Sequence, residues 1–247
     1  MNTKAFRWGL GLGLMALLAW PVAARERSRG GTFQGNRGGG TWASNTTRER
    51  GQMNRSTTVQ SERGTAQRNV QRNWDRSSGK GTYSSETTGP GGKTVTRQGA
   101  VEKTGEGSYH QTGTITGPQG HTTDVDRTST RNDDGSRTVN TTYTNEKGET
   151  KTVDKTITKT EDGRSMTGSY QTSTGQSGII ESETTVEDGK IKTTGSVTNQ
   201  DGKTWNRTAE TSKTDTGLHR DIAVTNPDGK TRDRSVDIQV TTKTVTP

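Results

Sequence analysis

The sequence predicts an all-β fold: an extended antiparallel meander of repeated β-hairpins, forming a single-layer or solenoid-like sheet with a flexible N-terminal region. Three observations predict it. A glycine-closed turn phrase recurs along the chain, the segments between turns are rich in Thr, Val, Ile and Tyr, and apolar residues make up only 21% of the sequence. The first two favour strands joined by tight turns, and the third argues against a conventional apolar core.

Six near-copies of one turn phrase define a repeat. The clearest is V-T-N-P-D-G-K-T at 224–231, and successive copies close on glycines 24 to 30 residues apart. Asn or Gly opens the phrase, Pro is accepted next and Gly ends it, an order that suits a type I turn followed by a left-handed residue. A second family of turns falls between the copies. The predicted structural turn glycines of both families are Gly92, Gly120, Gly135, Gly148, Gly163, Gly178, Gly189, Gly202 and Gly229.

The segments between the turns alternate as strands do. In 150–160 the even positions carry Thr and Asp, whereas the odd positions carry Lys, Val and Ile. Neither face is fully apolar, as a sandwich or a membrane barrel would need. We therefore expect an open meander stabilised by cross-strand pairs worth about 0.2–1 kcal/mol each, with stability accumulating over the repeats.

Residues 1–24 are predicted to be a secretory signal peptide. Lys4 and Arg7 form a positive head, an apolar run follows, and small residues at 22–24 suit a signal peptidase. The run between Arg7 and Pro21 has 13 residues, short of the roughly 20 needed to span a bilayer. We expect an exported protein of the periplasm, cell surface or extracellular space, with no membrane-spanning segment after signal removal. The chain has no Cys, which excludes disulfides and a lipid-modified cysteine.

The predicted domains after the signal are a basic, Arg/Gly-rich, low-complexity region at 25–88 and the Thr-rich hairpin repeats at 89–247. Residues 25–90 have a net charge of +7, whereas residues 91–247 have a net charge of −1. The stretch R-S-R-G-G-T-F-Q-G-N-R-G-G-G at 27–40 resembles the Arg-Gly-Gly segments of RNA-binding proteins, which implies affinity for phosphates. The predicted polyanion-binding residues are Arg25, Arg27, Arg29, Arg37, Arg48, Arg50, Arg55, Arg63, Arg68, Arg72 and Arg76.

Two local structures are open alternatives within this region. Glycines at 51, 64 and 79 continue the spacing of the later turns and indicate degenerate hairpins from Gly51 onward. Ala66, Val70 and Trp74 stand at i, i+4 and i+8, which is also compatible with a helix over 62–76.

Catalysis finds little support in the sequence. His110, His121 and His219 lie in turns or Thr-rich strands without the spacing of metal ligands or of a catalytic group. The acidic residues of the turns lack the ligand pattern of a calcium loop. We predict no catalytic, cofactor-binding or metal-binding residues and no cofactor.

These features favour an exported, non-enzymatic repeat protein that acts as a cell-envelope or extracellular structural or adhesion scaffold. Its basic N-terminal segment is expected to bind an extracellular polyanion, namely DNA, lipopolysaccharide or an acidic glycan. One alternative is a largely disordered secreted matrix component. Another is a small-ligand or enzyme-regulating module, with ligands held between hairpins near Trp205, Tyr109, Tyr143 or Tyr170. The oligomeric state is left open.

Overall fold

A computed structural model describes residues 26–36 and 38–243. The predicted signal peptide, Arg25 and Arg37 lie outside the described residues. Within this part of the chain there are strands but no helix, and hence no helix able to cross a membrane. The strands are β1 (Arg27–Gly35), β2 (Gly38–Glu49), β3 (Gln52–Ser61), β4 (Gly64–Asp75), β5 (Lys80–Thr88), β6 (Thr94–Gly105), β7 (Ser108–Thr116), β8 (Thr122–Arg131), β9 (Arg137–Asn145), β10 (Thr150–Lys159), β11 (Gly163–Thr172), β12 (Ser177–Glu187), β13 (Lys190–Asn199), β14 (Thr204–Lys213), β15 (Gly217–Thr225), β16 (Thr231–Gln239) and β17 (Thr241–Lys243).

The strands form an antiparallel meander that closes on itself. Each strand from β2 to β15 pairs with its neighbours in sequence, and β1 pairs with β2 on one edge. On its other edge, Phe33 of β1 faces Ile238 of β16, and Gly30 faces Thr241 of β17, which continues β16. The predicted all-β hairpin meander is confirmed, but the predicted open sheet is wrong, because the structure is a closed barrel of sixteen strands. Closure pairs the backbone groups that two open edges would expose.

The wall of the barrel is a single layer. Among the described strands, only hydrogen-bonded neighbours bring their Cα atoms within 8 Å of each other. Sixteen strands spaced about 4.8 Å apart and tilted by about 40° give a barrel radius of roughly 15 Å. The described strands therefore surround a wide lumen instead of packing against one another across a core.

The two turn families lie at opposite ends of the barrel, because they alternate along an antiparallel meander. The six copies of the repeated phrase form the first rim, together with the β1–β2 and β3–β4 turns, and the remaining turns form the second rim. In the phrase beginning at Asn145, the Asn side-chain oxygen accepts the backbone N–H of Lys147 at 3.0 Å and of Glu149 at 2.9 Å, and Gly148 has a φ of +76°. This is the geometry expected for a left-handed glycine after a type I turn. The predicted turn glycines with positive φ are Gly92, Gly120, Gly135, Gly148, Gly189, Gly202 and Gly229.

Two of the predicted turn glycines lie in strands instead. Gly163 is the first residue of β11, and Gly178 is the second residue of β12. In the β11–β12 turn the left-handed position belongs to Gly175, whose φ is +85° and whose N–H donates to the Thr172 carbonyl at 3.0 Å. The correct alignment of this copy places Thr172 where the other copies have Asn or Gly. Gly175, and not Gly178, therefore closes the turn.

The N-terminal region that was predicted to be flexible is built into the wall. Residues from Arg27 to Thr88 form the strands β1 to β5. Of the two alternatives for this region, the hairpins are therefore found and the helix over 62–76 is wrong. Ala66, Val70 and Trp74 lie in β4, four residues apart on one side of the strand. A spacing of four fits both the period of a strand and that of a helix, and pairing with β3 and β5 selects the strand.

Candidate anion-binding site on the inner wall

Strand pairing assigns each residue to one of two faces, because residues directly opposite each other on antiparallel strands point to the same side. One such row runs from Tyr83 through Gly99 to Gly113. Every strand residue that is buried belongs to the same face as this row, which is therefore the inner face of the barrel. These buried residues are Thr46, Ser129, Val139, Thr141, Val153 and Ala209.

The two faces carry opposite charges. In β1 to β16 no acidic residue lies on the inner face, and every arginine lies there. The basic residues of the inner face are Arg27, Arg29, Arg48, Arg55, Arg68, Arg72, Arg97, Lys103, Arg127, Arg131, Arg137, Lys151, Lys155, Lys159, Arg164, Arg207, Lys213, Arg220, Arg232 and Arg234. The acidic residues of the outer face are Glu49, Asp75, Glu86, Glu102, Asp124, Asp126, Asp154, Glu181, Glu183, Glu187, Glu210, Asp221, Asp233 and Asp237. Only Lys80, Lys190 and Lys192 bring positive charge to the outer face of these strands.

Six of the predicted polyanion-binding residues share one area of the inner wall, called here the arginine patch. Burial lowers the pKa of Arg55, and the nearby charges of other patch members lower it further. Burial also lowers the pKa of Arg29, with added repulsion from Arg27 and Arg55. Such mutual repulsion is relieved when an anion binds between the guanidinium groups. The patch consists of Arg27, Arg29, Arg48, Arg55, Arg68 and Arg72 on β1 to β4.

The other predicted arginines do not join this patch. Arg50 and Arg76 lie in turns of the second rim, and Arg63 lies in the β3–β4 turn of the first rim. Arg25 and Arg37 lie outside the described residues.

A second basic cluster comes from the repeat region and is called here the arginine triad: Arg207, Arg220 and Arg234 on β14, β15 and β16. Burial lowers the pKa of Arg220, and the charges of Arg207 and Arg234 add to the effect. The Nε of Arg220 is buried without a hydrogen-bond partner among the described residues. A buried donor of this kind is costly to leave unpaired and is available to an anion.

A third group of inner cations lies on β8 and β10. Burial is the main cause that lowers the pKa of Lys155, with a contribution from Arg127, and it likewise lowers the pKa of Lys151. The Lys151 Nζ lies 4.6 Å from the ring centroid of Tyr170, within cation–π range.

Several aromatic rings of the inner face lie over glycines of neighbouring strands. A methyl group added at Gly99 would lie 2.6 Å from the Tyr83 hydroxyl oxygen. The Tyr83 hydroxyl donates a hydrogen bond of 3.5 Å to the Thr112 carbonyl. Phe33 covers Gly40 and Trp74 covers Gly81 in the same way. The glycines make room for the rings, which cover the neighbouring backbone.

The three histidines have carboxylate partners away from the inner wall. His110 Nε2 lies 3.0 Å from Asp126, and His121 Nδ1 lies 3.1 Å from Glu146. His219 contacts Asp237 at 2.6 Å and Asp221 at 3.0 Å, and these hydrogen bonds raise its pKa. All of these carboxylates are well exposed to solvent, and each pair contributes little to stability.

Sequence reasoning missed the basic residues that the repeat region contributes to the inner wall. Its net charge of −1 averages two faces of opposite sign. The signal was present in 150–160, where Lys151, Lys155 and Lys159 alternate with Thr and Asp.

The inner wall can hold anions by charge and by hydrogen bonds from guanidinium groups, with no carboxylate of β1 to β16 competing on that face. An anion that engages several of these groups at once gains the most, since water in a wide lumen screens each single pair. No protein family, curated protein or solved structure matches this chain.

Proposed function

We propose that this protein is an exported, non-enzymatic barrel that binds an extracellular polyanion inside its lumen through the arginine patch. The observation that supports this most is the separation of charge: the arginines of β1 to β16 face inward, and the acidic residues of these strands face outward. The acidic outer face repels polyanions, whereas the inner wall attracts them. We therefore place the bound polyanion in the lumen and not on a flexible N-terminal segment.

The chemistry of the wall suits a chain of repeated anionic groups. Guanidinium groups bind phosphate, sulfate or carboxylate in a bidentate manner, and neighbouring arginines engage successive groups of one chain. Aromatic residues of the inner face, such as Tyr83 and Phe33, are suited to stacking on bases or sugar rings. DNA, lipopolysaccharide and acidic glycans all share this chemistry, and a single extended polyanion chain is narrow compared with a barrel whose backbone radius is roughly 15 Å.

The basic residues nearest the ends of the strands indicate where a polyanion enters. At the second rim, the last inward-facing residue is basic in half of the strands: Arg27, Arg48, Lys103, Arg131, Arg137, Lys159, Arg164 and Lys213. At the first rim, Lys151 and Arg232 occupy the corresponding positions. We expect a polyanion that passes the second rim to meet these basic side chains first, since they line the inside of that opening. The hairpin wall then acts as the scaffold that holds the bound chain.

The test compares two triple variants that each remove three positive charges. R55Q/R68Q/R72Q changes the arginine patch, and K80Q/K190Q/K192Q changes the outer face. The ligand is a fluorescently labelled 20-nucleotide single-stranded DNA, and binding is followed by anisotropy. We expect the patch variant to weaken binding by at least about tenfold and the outer variant by less than about twofold. Equal losses, or no loss in the patch variant, would overturn the proposal, provided that far-UV circular dichroism shows unchanged strand content.

A further inference from the structure

A sector of the inner wall on β13 to β16 combines exposed apolar side chains with the arginine triad. Val197, Trp205 and Val224 are 37%, 41% and 37% exposed, although all three face the lumen. Val197 stands directly opposite Trp205, and Val224 stands directly opposite Arg207. Apolar side chains that remain exposed as a group on a concave surface are typical of a binding site.

The arginine triad borders these apolar residues. Arg207 is two residues from Trp205 on the same face of β14, and Arg234 stands directly opposite Ile222. The buried Nε of Arg220 has no hydrogen-bond partner among the described residues. A partly buried guanidinium group whose Nε has no hydrogen-bond partner is stabilised by an anionic ligand.

We propose that this sector binds an anionic amphiphile, with its charged head group on the arginine triad and its aliphatic chain along Val197, Trp205 and Val224. The inference rests on the proposed function, because it assigns a ligand class to the same basic inner wall. A purely hydrophilic polyanion would leave the apolar side chains exposed to water, and a neutral lipid would leave the triad without a counter-charge. An anionic amphiphile satisfies both, since each buried methylene adds to the head-group attraction.

Three probes separate the two contributions by isothermal titration calorimetry, each used below its micelle concentration. They are dodecyl phosphate, inorganic phosphate and dodecyl maltoside. We expect dodecyl phosphate to bind at least about tenfold more tightly than either of the others, because only it offers both charge and chain. Binding of dodecyl maltoside with equal affinity would overturn the assignment, since it would show a merely apolar surface.

Variants locate the site. V197T/V224T keeps side-chain shape and removes apolar surface, and we expect it to weaken dodecyl phosphate binding by about fivefold or more. The matched control is I179T, because Ile179 is 56% exposed on the outer face of neighbouring β12 and its replacement should leave binding unchanged. R207Q/R220Q/R234Q should reduce dodecyl phosphate binding by at least about tenfold. Equal effects of I179T and V197T/V224T would contradict the assigned sector.

The outcomes distinguish this inference from the proposed function. If single-stranded DNA binds through the arginine patch but dodecyl phosphate binds no more tightly than inorganic phosphate, only the amphiphile site is refuted. If neither single-stranded DNA nor dodecyl phosphate binds, the anion-binding function itself is refuted.

Discussion

The Nε of Arg55 donates a hydrogen bond of 3.1 Å to Oγ1 of Thr46, its direct partner across β2 and β3. Thr46 is one of the few buried strand residues, and Arg55 lies at the centre of the arginine patch. A neutral hydroxyl therefore holds in place a guanidinium group that has no carboxylate of β1 to β16 on its face. The inner wall of β1 to β16 offers such polar contacts, whereas it has no carboxylate for an ion pair.

Replacement of Thr46 by Val should lower the free energy of unfolding by about 1–2 kcal/mol, because it leaves a partly buried donor without its acceptor. The measurement is the midpoint of denaturant unfolding. Thr47→Val is the matched control, since Thr47 is exposed on the outer face, and its effect should be within about 0.5 kcal/mol. If both variants behave alike, the hydrogen bond to Arg55 does not stabilise the wall.

Gly31 lies on β1, the strand that closes the barrel against β16 and β17. A methyl group at this position would collide with the backbone carbonyl of Gln239 across the seam. We expect Gly31→Ala to destabilise the barrel by about 1–3 kcal/mol and to expose the β1 and β16 edges to hydrogen exchange. Gly195→Ala is the control, because the nearest atom to its methyl group would be 3.3 Å away. Unchanged exchange at β1 and β16 in Gly31→Ala would contradict closure at this seam.

The ring of Tyr83 requires a glycine at position 99. A methyl group there would meet the Tyr83 hydroxyl and the Thr112 carbonyl, so Gly99→Ala should cost about 1–3 kcal/mol. The double variant Tyr83→Ala/Gly99→Ala should lose less stability than the sum of the losses of the two single variants, because the methyl group no longer meets the Tyr83 hydroxyl. A double-mutant cycle based on unfolding midpoints measures this coupling. Additive effects would show that the ring and the glycine do not interact.

His219 should titrate at a pH above its ordinary value of 6.5, because its hydrogen bonds to Asp237 and Asp221 favour the charged ring. A raised pKa means that the stabilising effect is full below the ordinary value and is lost as the pH rises through the folded value. NMR titration of the ring gives the midpoint, and Asp237→Asn should lower it. His219→Asn should reduce the melting temperature more at about pH 5.5 than at about pH 8.5. Equal reductions at the two pH values would contradict this linkage.

The salt dependence of DNA binding reports how many arginines contact phosphates. Engagement of the whole arginine patch by single-stranded DNA should give a slope of about −4 in a plot of log K against log salt concentration. R55Q/R68Q/R72Q should reduce the slope to about −2. Anisotropy titrations at several salt concentrations provide both values. An unchanged slope in the variant would place the phosphate contacts elsewhere on the chain.

Local structure was readable from the sequence where the signal spans only a few residues. Asn145 and Gly148 identify their turn because a side-chain oxygen and a positive φ act within four residues. The turn with Gly175 was misaligned, since two glycines three residues apart satisfy the same pattern. In β4, the spacing of Ala66, Val70 and Trp74 fits a strand and a helix equally, and only the neighbouring strands resolve it.

The candidate site was predicted in part. The arginines of β1 to β4 were recognised by their density, but their convergence on one wall was not. Arg207, Arg220 and Arg234 went unrecognised, because acidic residues of the opposite face cancel them in any count along the chain. Reading each strand by alternate positions would have separated the two charges.

By itself the sequence determined the hairpins, the two families of turns and, in segments such as 150–160, the alternation of basic and acidic positions. These follow from interactions between residues that are close in the chain. Only the tertiary structure decided that the meander closes, since the pairing of Phe33 with Ile238 joins residues from opposite ends of the chain and has no local signature. Closure also decided which face is enclosed. It gathers arginines from both halves of the sequence onto one inner wall, because a curved sheet has a single concave side.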